Sequence, residues 1–310
     1  MQGLLRFWGT ALLLCLTLFF AVSTVAIISN TWFGDSHLTT GQDRVAVIDL
    51  KGVIYKSGAF TRKVSRLLED GKVKALVVRI NSPGGLVGPS QEIYESLKRA
   101  NEKIPVIASI GSLGASGGYY VALGARKIFA NPGSLTASIG VISEFANLER
   151  LYQWAKIERF ALKSGKLKDV GSETRKMTPE EREFLTAMLK DIHDEFKSTV
   201  QTQRKLTPEE TEKWTDGRVM TGSQAFKAKL IDSLGGMEEA VTEAKKAANL
   251  SEKAPVEYPE THKGGILKEL LGSDDDDLVA ESFLGSIKNF FQSPVGQTRW
   301  RILLLAPLAQ

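Results

Sequence analysis

The stretch Ala75-Leu76-Val77-Val78-Arg79-Ile80, followed by Asn81-Ser82-Pro83-Gly84-Gly85, decides the fold of this chain. Its first part is almost continuously apolar, which is typical of a strand buried on both faces. Similar strands are predicted at 45–50, 105–110 and 127–130, and helices at 59–70, 89–101 and 115–124. Short apolar strands that alternate with helices predict an α/β fold of β-α-β units around a buried, mainly parallel sheet.

The second half of the chain is mostly helical. Thr178-Pro179-Glu180-Glu181 and Thr207-Pro208-Glu209-Glu210 are helix start signals, with a capping Thr, Pro at the first helical position and Glu at the third. After the first signal, apolar residues recur every three or four positions, which predicts one buried face of a long helix: Phe184, Leu185, Met188, Leu189, Ile192, Phe196 and Val200. We also predict a strand at 158–162 and a last helix at about 237–249.

The N-terminal segment is the exception to an otherwise average composition. The 310 residues carry a net charge of +4, too mild to indicate nucleic-acid binding, yet Phe7 to Gly34 contains no charged residue. The apolar run from Thr10 to Ile28 is long enough to cross a bilayer. A cleavable signal peptide is the alternative, but its apolar region is usually shorter, about 7–15 residues. We expect an uncleaved anchor in the cytoplasmic membrane, with Arg6 holding the N-terminus in the cytoplasm.

The predicted organisation follows from this anchor. Residues 1–34 form a cytoplasmic stub and a transmembrane helix, 35–43 a linker, 44–250 an extracytoplasmic (periplasmic) domain, and 251–310 a tail of uncertain structure. The single cysteine, Cys15, lies inside the apolar run, so neither an intramolecular disulfide nor a Cys-based metal site is possible. The basic, apolar end at 299–305 could lie on a membrane surface, dock in a partner's groove or pack on its own domain.

Two glycine-rich segments follow predicted strands, where open α/β sheets place their ligands. They are 81–85 and 111–120, and neither contains a Walker loop or a Gly-x-Gly-x-x-Gly fingerprint, which disfavours nucleotide binding. Backbone N–H groups in such turns can stabilise an oxyanion. Ser116 begins a helix there, the setting of a nucleophile, although serine is also common at such positions as a helix cap.

A nucleophilic serine needs a base, and histidine is scarce in this chain. The three histidines are His37, His193 and His262, none of them in a glycine-rich loop, and we expect His193 to be a solvent-facing helical residue. This inventory disfavours a Ser-His-Asp triad and favours a serine–lysine dyad. Periodicity does not choose between the loop lysines Lys163, Lys166 and Lys168.

Taken together, these segments resemble the signal peptide peptidase A family of membrane-anchored serine proteases, which has the Clp protease/crotonase-like fold, a repeated β-β-α spiral. The resemblance rests on the N-terminal anchor and on motifs between about 44 and 250. In chain order these are 81–85 (NSPGG), 115–120 (ASGGYY), 135–141 (LTASIGV), 163–169 (KSGKLKD), 216–225 (DGRVMTGSQA) and 230–232 (LID).

The resemblance implies a role for each matching residue. Ser116 would be the nucleophile, Lys168 the general base, and Ser138 the serine that hydrogen-bonds the base. Gly84 and Gly85 would supply oxyanion-hole N–H groups together with the backbone at Gly117. No cofactor and no metal are expected. The implied substrates are signal peptide remnants and other unfolded or membrane-released peptides, and the implied assembly is a ring-shaped homo-oligomer.

The chain departs from the family pattern at two positions. Ala137 replaces the glycine of a Thr-Gly-Ser motif, and Lys229 replaces the glycine of a Gly-Leu-x-Asp motif, which leaves the local turn at 229 open. Two other functions are compatible with the same fold: a crotonase-like acyl-CoA enzyme, and a non-catalytic membrane scaffold. The anchor and the Ser-Lys pair favour the peptidase over both.

Overall fold

The computed structural model describes Thr17 and residues 41–258. Within these residues one mixed sheet contains the following strands: β1 (Arg44–Ile54), β2 (Val73–Gly85), β3 (Val106–Ala115), β4 (Lys127–Ala130), β5 (Leu135–Ala137), β6 (Val219–Thr221), β7 (Ser233–Leu234) and β8 (Val256–Glu257). The helices of this part are α1 (Gly58–Glu69), α2 (Val87–Lys103), α3 (Gly117–Ala122), α4 (Glu149–Trp154), α5 (Pro179–Arg204), α6 (Pro208–Trp214), α7 (Gly222–Lys227) and α8 (Met237–Ala247).

The sheet is parallel except at one edge. Its main path runs β6-β5-β3-β2-β1-β8, and only the β5–β6 pair is antiparallel in the described sheet. Strand β3 changes partner along its length: Ile107 to Ile110 pair with β4, and Leu113 to Ala115 pair with β5. The end of β3 therefore lies between β2 and β5, and this arrangement brings three strand ends together.

Alternating side chains of the central strands fill a core on each face of the sheet. Val45 and Val47 of β1 pack with Ala240, Val241 and Ala244 of α8 on one face. On the other face Ala46 and Ile48 belong to a larger cluster that contains buried residues of α1, α2, α3 and α5. Because both faces are covered, the strands are apolar without alternation, as the sequence indicates.

The structure confirms the mixed α/β fold with a mostly parallel sheet and corrects two local predictions. Residues 157–163 contain no strand, so the strand predicted at 158–162 is wrong. The long helix is present and begins at Pro179, but its apolar face is buried mainly toward its C-terminal end, at Phe196 and Val200. Nearer its start, Phe184 and Met188 are exposed.

The predicted anchor at 10–28 lies outside the described residues, apart from Thr17. In the part of the chain that the structure describes, no helix combines the length and the apolar character needed to cross a membrane.

Candidate active site

The candidate site lies where three neighbouring parallel strands end. Strand β2 ends at Gly85, β3 at Ala115 and β5 at Ala137. Since the carboxyl ends of parallel strands meet at one edge of a sheet, Ser116 and Ser138, which directly follow β3 and β5, come close to the glycine turn of β2. The Ser116 N–H donates to the Ala137 carbonyl at 2.8 Å, which ties the two serine-bearing turns together.

Ser116 has an unusual backbone conformation. Its φ of 52° and ψ of −122° are strained for a residue with a Cβ, and they turn the chain sharply from β3 into α3. The Tyr120 N–H donates to the Ser116 carbonyl at 2.8 Å, which anchors the first turn of that helix. A serine presented on a strained strand-to-helix turn is the arrangement that exposes a nucleophilic hydroxyl in other hydrolases.

Three glycines bring backbone close to Ser116. A Cβ on Gly84, whose φ is +98°, would lie 2.6 Å from the Gly117 nitrogen, and a Cβ on Gly117 would lie 2.5 Å from the Ser90 Oγ. A Cβ on Gly85 would collide with the backbone of Ile54. The Gly84 N–H donates to the buried Ser82 Oγ at 3.1 Å. The turn at the end of β2 is therefore packed directly against the turn that carries Ser116.

A cavity of about 110 Å³ opens beside Ser116. Its polar lining includes Ser116, Ser90 and Gln91, and its backbone lining includes Gly85, Gly117 and Gly140. The remaining wall is apolar or aromatic: Val87, Tyr120, Val141, Ile142, Ile192 and Phe196. Such a cavity accepts an apolar side chain of an extended ligand while the neighbouring N–H groups contact its backbone.

The segment that carries Ser138 is held by its backbone. Ala137 and Ser138 have φ values of 64° and 53°, so two successive residues adopt the left-handed conformation. The Ser138 N–H donates to the Arg218 carbonyl at 2.9 Å. Ser138 is half-buried, and the following residues Gly140, Val141 and Ile142 form one wall of the cavity.

Within this chain Lys168 does not contribute to the cavity beside Ser116. Lys168 is exposed and is not among the residues that line the cavity. Its neighbours are already paired, since Lys163 contacts Asp169 and Lys166 contacts Glu180. Among the described residues no carboxylate pairs with Lys168, which distinguishes it from the other two candidate lysines.

The loop that carries Lys168 is fixed by an arginine that the sequence analysis did not identify. The Arg175 guanidinium donates to the Asp169 Oδ2 at 3.2 Å and to the Glu181 Oε1 at 2.5 Å. Glu181 and Asp169 hold the pKa of Arg175 above its usual value, and the pKa of Asp169 is lowered by Lys163 and Arg175. A charged loop residue has no periodic pattern, so no sequence signal indicates this contact.

His193 is not the solvent-facing residue that the sequence predicts. It is half-buried, and its Nε2 lies 2.7 Å from the Thr215 carbonyl oxygen and 3.2 Å from the Ile139 carbonyl oxygen. The prediction failed because His193 lies beside Ile192 on the edge of the helix that contacts the 137–142 segment. In the residues that the structure describes, no group of three His, Cys, Asp or Glu side chains could hold a metal ion.

Comparison with known proteins finds a matching peptidase family and several relatives named as proteases. The family model described as peptidase family S49 matches residues 98–251. The "Putative protease slr0021" of Synechocystis sp. is 40% identical over 270 residues, covering 84% of this chain and 97% of that protein. The "Putative signal peptide peptidase SppA" of Enterococcus faecium is 28% identical, covering 76% and 75%. The "Serine protease SPPA, chloroplastic" of Arabidopsis thaliana is 33% identical, but the chain spans only 34% of its length.

An α/β sheet with a strained serine turn beside an apolar cavity, in a chain with several relatives named as proteases, is typical of a peptidase. The chain belongs to peptidase family S49, the signal peptide peptidase A family.

Proposed function

We propose that this chain is a membrane-anchored serine endopeptidase with Ser116 as its nucleophile. The observation that carries the proposal is the position of Ser116, on a strained turn at the mouth of an apolar cavity and against the glycine backbone of Gly84, Gly85 and Gly117. No comparable support exists in these residues for the acyl-CoA enzyme or the scaffold considered above, and membership of a peptidase family favours proteolysis.

The proposed reaction is acyl transfer to serine followed by hydrolysis. The Ser116 Oγ attacks the carbonyl carbon of the scissile peptide bond while its proton passes to a neutral lysine amine. The oxyanion that forms is stabilised by the N–H groups of Gly85 and Gly117, two residues that line the cavity, whereas Gly84 permits the close approach and donates its own N–H to Ser82. The lysine then protonates the leaving amine, and water releases the acyl group.

We propose Lys168 as the base and Ser138 as its hydrogen-bond partner. Lys163 and Lys166 are engaged by carboxylates, which leaves Lys168 as the lysine of this loop without such a partner in the described chain. A lysine acts as a base only where burial lowers its pKa toward neutrality. Because Lys168 is exposed in one chain, the proposal requires that assembly buries it beside Ser116.

We further propose that this assembly is a ring-shaped homo-oligomer in which one subunit completes the site of the next. Its support is a set of exposed apolar side chains that precede the lysine loop along the chain: Trp154 is 81% exposed, Phe160 87% and Leu162 93%. Exposed apolar patches of this kind are typical of protein interfaces. The partner change of β3 between β4 and β5 also supports the proposed β-β-α spiral of the Clp protease/crotonase-like fold.

The proposed substrates are apolar, unfolded peptides such as signal peptide remnants. The mostly apolar cavity beside Ser116 supports an apolar residue next to the scissile bond. The uncharged segment from Phe7 to Gly34 supports an anchor that keeps the enzyme near membrane-released peptides on the extracytoplasmic side. A carbonate wash of membranes tests the anchor, because an integral protein stays with the membrane and a peripheral one is released.

A labelling experiment tests the nucleophile. The intact protein, extracted from membranes in detergent, is treated with a fluorophosphonate and assayed on a fluorogenic apolar peptide. We expect Ser116→Ala to lose both labelling and cleavage, and Lys168→Ala to lose cleavage while remaining folded. The matched control is Ser112→Ala, an exposed serine on the same segment, which retains both activities. Labelling that persists in Ser116→Ala would overturn the proposal.

A further inference from the structure

His193 connects the long helix α5 to the two loops that shape the candidate site. Both atoms near its Nε2 are carbonyl oxygens, those of Thr215 and Ile139. Because a carbonyl only accepts hydrogen bonds, the Nε2 must carry the proton and donate to both. His193 is thereby the donor of two contacts, one to each loop, from a single ring nitrogen.

The two accepting carbonyls belong to segments that hold Ser138. Ile139 lies between Ser138 and the cavity-lining Gly140, in the segment whose preceding residues have left-handed backbones. Thr215 ends helix α6 and precedes the loop whose Arg218 carbonyl accepts the Ser138 N–H. His193 therefore fixes the Ser138 segment both directly and through the loop that supports it.

The neighbours of His193 on α5 reach the same cavity. Ile192 directly precedes it and Phe196 follows one turn later, and both line the cavity beside Ser116. Phe196 packs edge-on against Tyr120 of α3, with ring centroids 4.9 Å apart. The hydrogen bond of His193 to Ile139 thus ties α5, which carries Ile192 and Phe196, to the segment whose residues 140–142 also line the cavity.

We propose that His193 is a positioning residue for proteolysis, which holds the Ser138 segment in the geometry needed for the proton transfer from Ser116. The inference rests on the proposed function of Ser116 and Ser138. Its effect falls on kcat more than on KM, because Ile139 directly follows Ser138 and Thr215 precedes the loop that accepts the Ser138 N–H. Misplacement of reacting groups by about 1 Å lowers rates by up to about 100-fold.

Three substitutions in the intact, detergent-extracted protein test the proposal. His193→Gln keeps an N–H donor at nearly the reach of Nε2, whereas His193→Asn has the same polarity but is too short, and His193→Leu has no donor. We expect kcat on a fluorogenic apolar peptide to fall about 10- to 100-fold in the Asn and Leu variants. The Gln variant should recover most of the activity, with KM nearly unchanged in all three.

The controls separate this inference from the proposed function. Asp191→Ala changes an exposed residue of the same helix and should leave kcat unchanged. Ser116→Ala is measured in parallel: if it still cleaves, the proposed function itself is wrong. If Ser116→Ala is inactive but His193→Leu keeps wild-type kcat, the positioning role is overturned. Should His193→Leu fail to fold, equal activities of the Gln and Asn variants overturn it instead.

Discussion

Gly84 lies where a side chain has no room. Its φ is +98°, and an added Cβ would meet the Gly117 nitrogen, the Ala115 carbonyl oxygen and the Ser116 Cβ within 3.0 Å. The first two of these atoms belong to the backbone, which cannot move aside as a flexible side chain can. We expect Gly84→Ala to push the Ser116 turn away from β2 and to lower kcat/KM by about 100-fold or more.

Gly88 provides the matched control for this substitution. It lies four residues later in the first turn of α2, and a Cβ there would meet nothing within 4 Å. Gly88→Ala should keep full activity and gain up to about 1 kcal/mol of stability, because alanine is the better helix former. Equal activity of the two variants in a peptide cleavage assay would show that the contact between β2 and Ser116 is unimportant.

Both departures from the family motifs fall on left-handed backbone positions. Ala137 has a φ of 64° and Lys229 a φ of 62°. At Lys229 the reason is a helix end: its N–H donates to the Phe226 carbonyl and the Leu230 N–H donates to the Ala225 carbonyl, the hydrogen bonds of a Schellman motif after α7. The turn therefore forms without a glycine, and Lys229 adopts a left-handed backbone conformation that is strained for a residue with a Cβ.

This strain predicts an order of stabilities at position 229. Lys229→Ala and Lys229→Gly both remove the ion pair with Glu210, but only glycine relieves the left-handed backbone. We expect the glycine variant to be more stable than the alanine variant by about 1 kcal/mol in denaturant unfolding. Equal stabilities would mean that the backbone at 229 is not strained.

Helix starts are the elements that the sequence predicts best. The capping signals before α5 and α6 are local, and the structure contains both capping boxes, with Thr178 and Thr207 accepting from Glu181 and Glu210. The buried strands are also confirmed. Their sequences are almost continuously apolar, which is typical of strands covered on both faces. The short strands β5 to β8 escaped prediction because two or three residues show no periodicity.

Contacts between distant segments limited the prediction of the site. Residues 111–120 indicate a strand-to-helix turn at Ser116, but nothing in them shows the cavity wall contributed by Ile192 and Phe196. His193 was misjudged for the same reason, since its partners lie 54 and 22 positions away along the chain. The strand expected at 158–162 is absent: the segment pairs with no strand of the described sheet, and its apolar residues Phe160 and Leu162 are exposed.

The start of α5 carries an ion pair with a defined pH dependence. The Glu181 side chain is only 4% exposed and pairs with Arg175, and this contact, with the Thr178 N–H, lowers the pKa of Glu181 from 4.5 to about 2. A carboxylate with a lowered pKa stabilises the folded state above its unfolded pKa. This stabilisation should be complete above about pH 4.5 and lost as the pH falls toward about 2.

Thermal unfolding as a function of pH tests this element. We expect Glu181→Gln to have a lower Tm than the wild type at pH 7, and the difference to shrink progressively below pH 4.5. Glu183→Gln, at an exposed position of the same helix, should follow the wild type throughout. A Tm difference that stays constant down to pH 2 would contradict a stabilising role for the ionised Glu181.

At the scale of the whole molecule, the position of the proposed base and the exposed apolar segment before it are connected. Ser116 has its cavity and its glycine backbone within one chain, yet the lysine proposed as its base is exposed and separate from that cavity. The lysine loop continues directly from the apolar segment that contains Phe160 and Leu162, which has no cover in the described residues. Burial of that segment by a second copy would bury the lysine loop in the same step.

A mixing experiment tests whether two copies share one site. Ser116→Ala and Lys168→Ala are each expected to be inactive, but their co-expression should restore part of the cleavage activity, because a site then receives Ser116 from one subunit and Lys168 from another. Adding Phe160→Asp and Leu162→Asp to both chains places charge in the interface, so it should yield monomers in light scattering and abolish the restoration. If co-expression restores nothing although the two chains co-purify as a complex, each site is built from one chain and Lys168 reaches Ser116 by a rearrangement of its own loop.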